Sequence, residues 1–262
     1  MSDDLRRNPQ AVSRTQVEVD AGLRSFLMKT FNTMALGIAF TGLVTWFVGG
    51  QMEVIRTTEG VFVRSDIALF EALFTAPIYY VLMFAPLVLS FIFNGMIWRA
   101  SPAVAYAMFF TFAGVFGLAV TPIMILTPVD TIFLAFLMAA VGFIALSMYG
   151  YVTNADLSSW GTFGRIGILI AIGASIIMFF VPGEINLLTK VINVVVAVAS
   201  LALTAFSMQM LKGAYYGIVN GQMGGDRSVE QQLNSAGISG ALALYINFMN
   251  LFMSLLSLLR ER

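Results

Sequence analysis

The chain has 262 residues, 59% of them hydrophobic and 11% charged, with a mean hydropathy of +0.87. Water-soluble domains run nearer half apolar and a quarter charged, so this much apolar surface needs lipid around it. Charges balance to zero and there is neither Cys nor His. That leaves no basic footprint for nucleic acid and removes disulfides, thiolate nucleophiles, Cys-based metal sites and His-based catalysis.

Residues 1–25 are polar and mixed in charge, with Arg6, Arg7, Arg14 and Arg24 against Asp3, Asp4, Glu18 and Asp20. The stretch is too long and too acidic for a signal-peptide n-region, and no A-x-A site follows the first apolar run. It predicts an uncleaved cytoplasmic tail ahead of a transmembrane domain over 26–262. Since roughly 20 apolar residues cross the hydrocarbon core as a helix, spans are predicted at about 26–48, 76–98, 103–126, 131–152, 162–182, 187–210 and 239–259. The fold class is an all-α integral membrane bundle of about seven helices. Breakers stand in the gaps: Gly49-Gly50, Ser101-Pro102, Thr127-Pro128 and Pro182-Gly183. Only a few residues join the third and fourth spans, so these are expected to be antiparallel neighbours. The sizeable loops are expected at 49–66 and 212–238. Nine Lys and Arg fall on the N-terminal side of this topology and five on the other, which favours a cytoplasmic N-terminus.

Helices in lipid associate through small residues and hydrogen bonds. The fifth span carries Gly164, Gly167, Ala171 and Ala174 on one face, the third Ala103, Ala107, Gly114 and Gly117, and the fourth Ala135, Ala139 and Gly142. The last two spans differ. Asn193, Ala197, Ser200, Thr204 and Ser207 recur at helical spacing in the sixth, and Gly240, Ala243, Asn247, Asn250, Ser254 and Ser257 in the seventh. Amides and hydroxyls facing lipid would lack partners, so both stripes are expected to point inward. Two readings stay open: hydrogen bonding that holds the bundle, or a polar path or ligand site through it. Glu71, Asp130 and Lys190 sit near span ends, while Lys29 and Arg165 are placed in first turns as anchors. No carboxylate falls in the middle of a span.

Several stretches, MFAPLV at 83–88, ALSMYGYVTNADLSSWG at 145–161, TAFSMQMLK at 204–212 and GALALYINFMNLFMSLL at 240–256, resemble the Bax inhibitor family of membrane proteins in its bacterial branch. The resemblance implies six helices around a central seventh, in the bacterial inner membrane. It also implies a buried aspartate pair on the sixth and seventh helices that senses pH and gates a calcium leak. Here the matching positions are Ser207 and Asn247. Neither titrates, and neither carries charge to offset a dehydrated cation. The expectation is therefore a bundle that is pH-indifferent or closed to cations. The alternative is an interaction protein, since some bacterial relatives restrain a membrane-bound quality-control protease. The tail and the GQMGGDRS loop at 221–228 are the candidate surfaces. No cofactor and no metal site is implied, and without His, Cys or a mid-span carboxylate there is nothing from which to build an intramembrane enzyme.

Overall fold

The computed structural model describes residues 9–57, 60–68, 73–75, 77–180, 186–221 and 227–260. Glu71, residues 1–8 and most of the GQMGGDRS stretch lie outside them. Among the described residues, seven helices are long and apolar enough to cross a bilayer. They are α1 (Pro9–Gly49), α2 (Ile78–Ile97), α3 (Pro102–Ile125), α4 (Val129–Val152), α5 (Ser158–Phe180), α6 (Asn186–Val219) and α7 (Val229–Arg260). Seven such helices in series put the start of α1 and the end of α7 on opposite sides of the bundle. Between α1 and α2, strands β1 (Met52–Thr57) and β2 (Gly60–Ser65) form an antiparallel hairpin that pairs Met52 with Ser65. That segment is not the plain loop expected for 49–66. Ser65 ties the hairpin base by donating to the Gln51 carbonyl at 2.9 Å and accepting from the Ile67 N–H at 3.2 Å.

Three helices are longer than a bilayer needs. At 1.5 Å per residue the 20 residues of α2 cover about 30 Å, one hydrocarbon core. The 34 residues of α6 and 32 of α7 reach about 50 Å. Their excess, together with the start of α1, projects on the side of the chain's N-terminus. Much of the stretch expected as a 212–238 loop is thus helix. It stays helical because it is packed: the Tyr215 hydroxyl donates to the Val19 carbonyl at 3.2 Å, and the Phe26 and Tyr215 ring centroids lie 5.6 Å apart. Lys29 accordingly lies deep within α1 rather than in a first turn.

Helix α7 is the core. Residues 247–249 are buried in succession, followed by Leu251 and Phe252, so the middle of this helix is enclosed almost all round. It packs against α6 most extensively and also against α4, α1, α3 and α2, whereas α5 lies behind α6. The small faces of α4 and α5 pack as expected, with Ala135, Ala139 and Ala171 buried. In α3 only Gly114 and Gly117 take that role, against Phe40, Thr41 and Val44. Ala103 and Ala107 are exposed, because α3 turns Ala105, Phe109 and Phe112 inward instead; Ala243 of α7 is exposed as well.

A second correction concerns α3 and α4. They are antiparallel and joined by three residues, Leu126, Thr127 and Pro128, yet they make little contact; α3 packs on α1 and α2, and α4 on α6 and α7. A short connection ties two helix ends but not their sides, and Pro128, with ψ at 140°, starts α4 on a new course.

The tightest helix crossing gives a direct test. A Cβ on Gly150 of α4 would stand 2.2 Å from the Ala205 carbonyl oxygen of α6, so the two backbones touch. Gly150→Ala must push the helices apart and is expected to cost about 1–3 kcal/mol in unfolding from mixed micelles. Gly173→Ala on α5, where a Cβ meets nothing within 4 Å, is expected to be neutral or slightly stabilising by the same measurement.

Candidate functional site

The polar stripes of α6 and α7 meet. The Asn247 side-chain amide donates to the Ser207 hydroxyl at 3.2 Å, and the Asn193 amide donates to the Ser257 hydroxyl at 2.8 Å. The helices are antiparallel, and the two bonds lie ten residues apart on α7 and fourteen on α6, about 15–21 Å. One pair therefore joins the helices towards each face of the bilayer. Asn247 is buried and Ser207 half-buried, and the contact is made directly, side chain to side chain.

Between these levels the stripe is inward but self-contained. Thr204 is fully buried and donates to the Ser200 carbonyl one turn back at 2.8 Å, as helical threonines do when nothing better faces them. Ser254 is buried, and Asn250 is half-buried. The hydroxyls of Ser200 and, on α4, Ser147 are buried without a hydrogen-bond partner among the described residues. Of the ionisable residues weighed from sequence, Asp130 stands exposed in the first turn of α4, where the helix N-terminus favours a carboxylate. Lys190 is exposed near the start of α6. Arg165, expected in a first turn, lies two turns into α5 because that helix already starts at Ser158; it donates from Nε to the Gly161 carbonyl at 3.1 Å and lies over the Phe206 ring.

Two cavities flank α1, and neither is walled by Ser207 or Asn247. The first, about 220 Å³ on the N-terminal side, is lined by Lys29, Thr30, Thr33, Tyr106, Glu230 and Asn234. The second, about 710 Å³, opens beside Thr41 and Thr45 and is almost wholly apolar. Thr33, Gly37, Thr41 and Thr45 follow one another at four-residue spacing on α1, so Gly37 stands between the cavities. Phe109 and Tyr245 are pressed against it.

Tyr245 is the residue that spacing alone did not single out. It is fully buried, with the rings of Phe109, Phe112 and Phe116 edge-on at 5.7–5.9 Å. The Thr41 hydroxyl donates to the Ala113 carbonyl at 2.9 Å, so at the 2.6 Å contact the Tyr245 hydroxyl donates to Thr41. One chain of hydrogen bonds thus joins α7, α1 and α3 inside an aromatic plug. The signal available in the sequence was a tyrosine among small and aliphatic residues in ALALYINFMN; a buried phenol needs a partner, but nothing local says which.

The stretches that resemble a known family also find one another. Gln209 of TAFSMQMLK accepts from the Leu157 N–H at 2.9 Å and donates to the Ala155 carbonyl at 2.7 Å, stapling the α4–α5 turn to α6. Lys212 donates to the Tyr151 carbonyl at 3.1 Å and sits over the Tyr151 ring. In that turn Asp156 accepts from the Ser158 hydroxyl at 2.6 Å and the Ser158 N–H at 2.9 Å, and the Ser158 side chain first, then its backbone, holds the carboxyl below its ordinary range. Arg227 donates to the carbonyls of Trp98 and, at 2.7 Å, Arg99, capping the end of α2 with charge.

The protein-family model described as "Inhibitor of apoptosis-promoting Bax1" matches residues 23–262. An uncharacterized protein of Caulobacter vibrioides is 33% identical over 244 residues, 93% of this chain and 91% of that one. The inner membrane protein YbhL of Escherichia coli is 28% identical over 247 residues, covering 94% and 95%. An uncharacterized membrane protein of Streptococcus pyogenes is 28% identical over 238 residues, covering 90% and 93%. With a family model spanning all seven helices and relatives matched nearly end to end, the chain belongs to the Bax inhibitor family of multi-pass membrane proteins.

Proposed function

We propose that this chain is a bacterial inner-membrane protein with a cytoplasmic N-terminus, and that its bundle is closed to calcium and indifferent to pH. The observation that carries the reading is the uncharged Asn247–Ser207 contact at 3.2 Å. Two carboxylates placed there would repel and share a proton near neutral pH, which is what makes such a pair a switch. An amide bonded to a hydroxyl has one protonation state across that range. The chain has no His to substitute as a sensor. Nor do amide and hydroxyl oxygens supply the negative charge that a dehydrated divalent cation requires. The aromatic plug around Tyr245 separates the two cavities and adds to the case for a closed state.

A second reading, that the protein acts by contact with other membrane proteins such as a membrane-bound quality-control protease, is favoured by the projecting ends of α1, α6 and α7. These ends are packed helix rather than the solvated linkers that flexible tails would give. Their order also sets a limit on experiments: removing residues 1–24 would delete buried Leu23 and the Val19 carbonyl that holds Tyr215, so truncation there damages the bundle. Charge reversal at exposed Arg24 and Glu230 leaves the packing intact. On this reading it lowers capture of such a protease from crosslinked vesicles while the melting temperature stays put; unchanged capture counts against it.

Calcium flux in proteoliposomes tests the first reading. Flux is expected to match protein-free vesicles at acid and at neutral pH; a steep pH-dependent flux comparable to that of an aspartate-bearing relative would refute it. Ser207→Asp combined with Asn247→Asp is expected to introduce pH dependence, whereas either change alone mainly lowers stability by leaving a lone buried carboxylate.

The solvated turn at Asp156 sets where pH does act. Its carboxyl is lowered from the ordinary value of 3.8, so its stabilising contribution is fully present above that pH and fades as pH falls through the folded value. Asp156→Ala should therefore melt earlier than the parent at neutral pH. The gap should close only below about pH 4, read by thermal unfolding across pH.

A further inference from the structure

The apolar cavity of about 710 Å³ is a groove between α1 and α4, the two helices that do not pack together along their length. Ile38 and Trp46 of α1 form one wall, Ile132 and Ile144 of α4 the other, and Phe248 and Phe252 of α7 the floor. We propose that this groove holds one acyl chain of a phospholipid drawn from the leaflet on the hairpin side.

Four observations converge on that occupant. The two threonine hydroxyls in the wall have their protons engaged, Thr41 donating to the Ala113 carbonyl and Thr45 to the Gly117 carbonyl at 3.0 Å, so neither is left to donate to a ligand in a lining that is otherwise almost wholly apolar. The groove is continuous with the belt that lipid already covers, since exposed Leu43 of α1 and exposed Leu137 and Val141 of α4 flank its opening. Its length fits. Ile132 and Ile144 are twelve residues apart, about 18 Å along the helix, close to half of a hydrocarbon core of about 30 Å. Its ends fit as well. Towards mid-bilayer the Phe31 and Phe143 rings meet edge-on at 6.3 Å and close it, while at the hairpin side Trp46, 76% exposed, stands where interfacial aromatics meet headgroups. Space for roughly two dozen groups of a water's volume accommodates one chain. The binding is dispersion against aromatic and branched walls that otherwise face a gap.

The site admits a clean obstruction. A Cβ on Gly42 meets nothing within 4 Å, so Gly42→Phe enters the groove without striking the backbone; Gly173→Phe makes the same change on α5, outside the groove. The experiment reconstitutes the full chain with a phosphatidylethanolamine whose acyl chain carries a photoactivatable diazirine, then maps the labelled peptides by mass spectrometry. Labelling of 38–46 and 132–144 is expected to exceed that of the lipid-facing 166–177 segment of α5 several-fold. Gly42→Phe abolishes the excess, and Gly173→Phe keeps it. Equal labelling of groove and α5 overturns the proposal, as does an excess that survives in a folded Gly42→Phe. Because the chain has no Cys, Gly42→Cys also reports a competing occupant: efficient disulfide dimers in the same vesicles would put a second copy in the groove and overturn it too. The labelling ratio on the unaltered chain decides the matter even where Gly42→Phe impairs folding.

Discussion

A polar group inside a bilayer has no water to turn to, and α7 is the helix on which that constraint falls hardest. It is enclosed over most of its surface, yet it carries a buried tyrosine, three asparagines and a line of serines. Each such group must find its partner on a neighbouring helix or on its own backbone. Asn247 finds Ser207, Ser257 accepts from Asn193, and Tyr245 finds Thr41. These bonds fix which face of α7 meets α6 and which meets α1 and α3, and the apolar packing closes around that choice. Their individual worth is modest, about 0.6 kcal/mol on average for side-chain bonds between membrane helices. Their weight lies in register: a rotation of α7 would strand several groups at once.

The remainder of the architecture follows from α7 being held this way. Helices α1 and α3 close on its tyrosine side through the Thr41–Ala113 bond and the ring cluster, while α4 and α6 close on the other through the Gly150–Ala205 approach. The two groups of helices are joined chiefly through α7, with the direct α1–α6 contact at Val19 and Tyr215 confined to the N-terminal side, so α3 and α4 diverge and a groove is left between α1 and α4. On the N-terminal side, Arg227, Gln209 and Lys212 lace the turns to the helix ends with hydrogen bonds to backbone carbonyls. That side is polar and cross-linked by hydrogen bonds among the described residues; the middle is sealed by aromatics; the opposite leaflet offers an apolar crevice. A neutral, directly bonded α6–α7 contact suits such a bundle, because nothing in it changes charge between mild acid and neutral pH.

Much of this was legible in the sequence wherever a one-dimensional rule governs. The spans are set by runs of apolar length, so 131–152 and Val129–Val152 nearly coincide. Spacing gave the inward stripes, since face is a property of one helix, and the family's motifs aligned Ser207 and Asn247. Partners were not legible. Thr204 lies on the same stripe as Ser207 but turns back to its own helix, and Tyr245 bonds a threonine 204 residues away. The projecting ends of α6 and α7 were missed because Lys212, Gln231 and Gln232 read as loop polarity, whereas tertiary contact with α1 keeps them helical. The hairpin was missed for lack of an apolar run, and the divergence of α3 and α4 because connection length limits helix ends alone.

The account stands on the Ser207–Asn247 contact being direct and uncharged. A double-mutant cycle with Ser207→Ala and Asn247→Ala, read as unfolding free energy in mixed micelles at acid and at neutral pH, measures it without reference to transport. The expected coupling is about 0.5–1 kcal/mol and the same at both pH values. A coupling indistinguishable from zero, or one that changes between the two, would contradict the account.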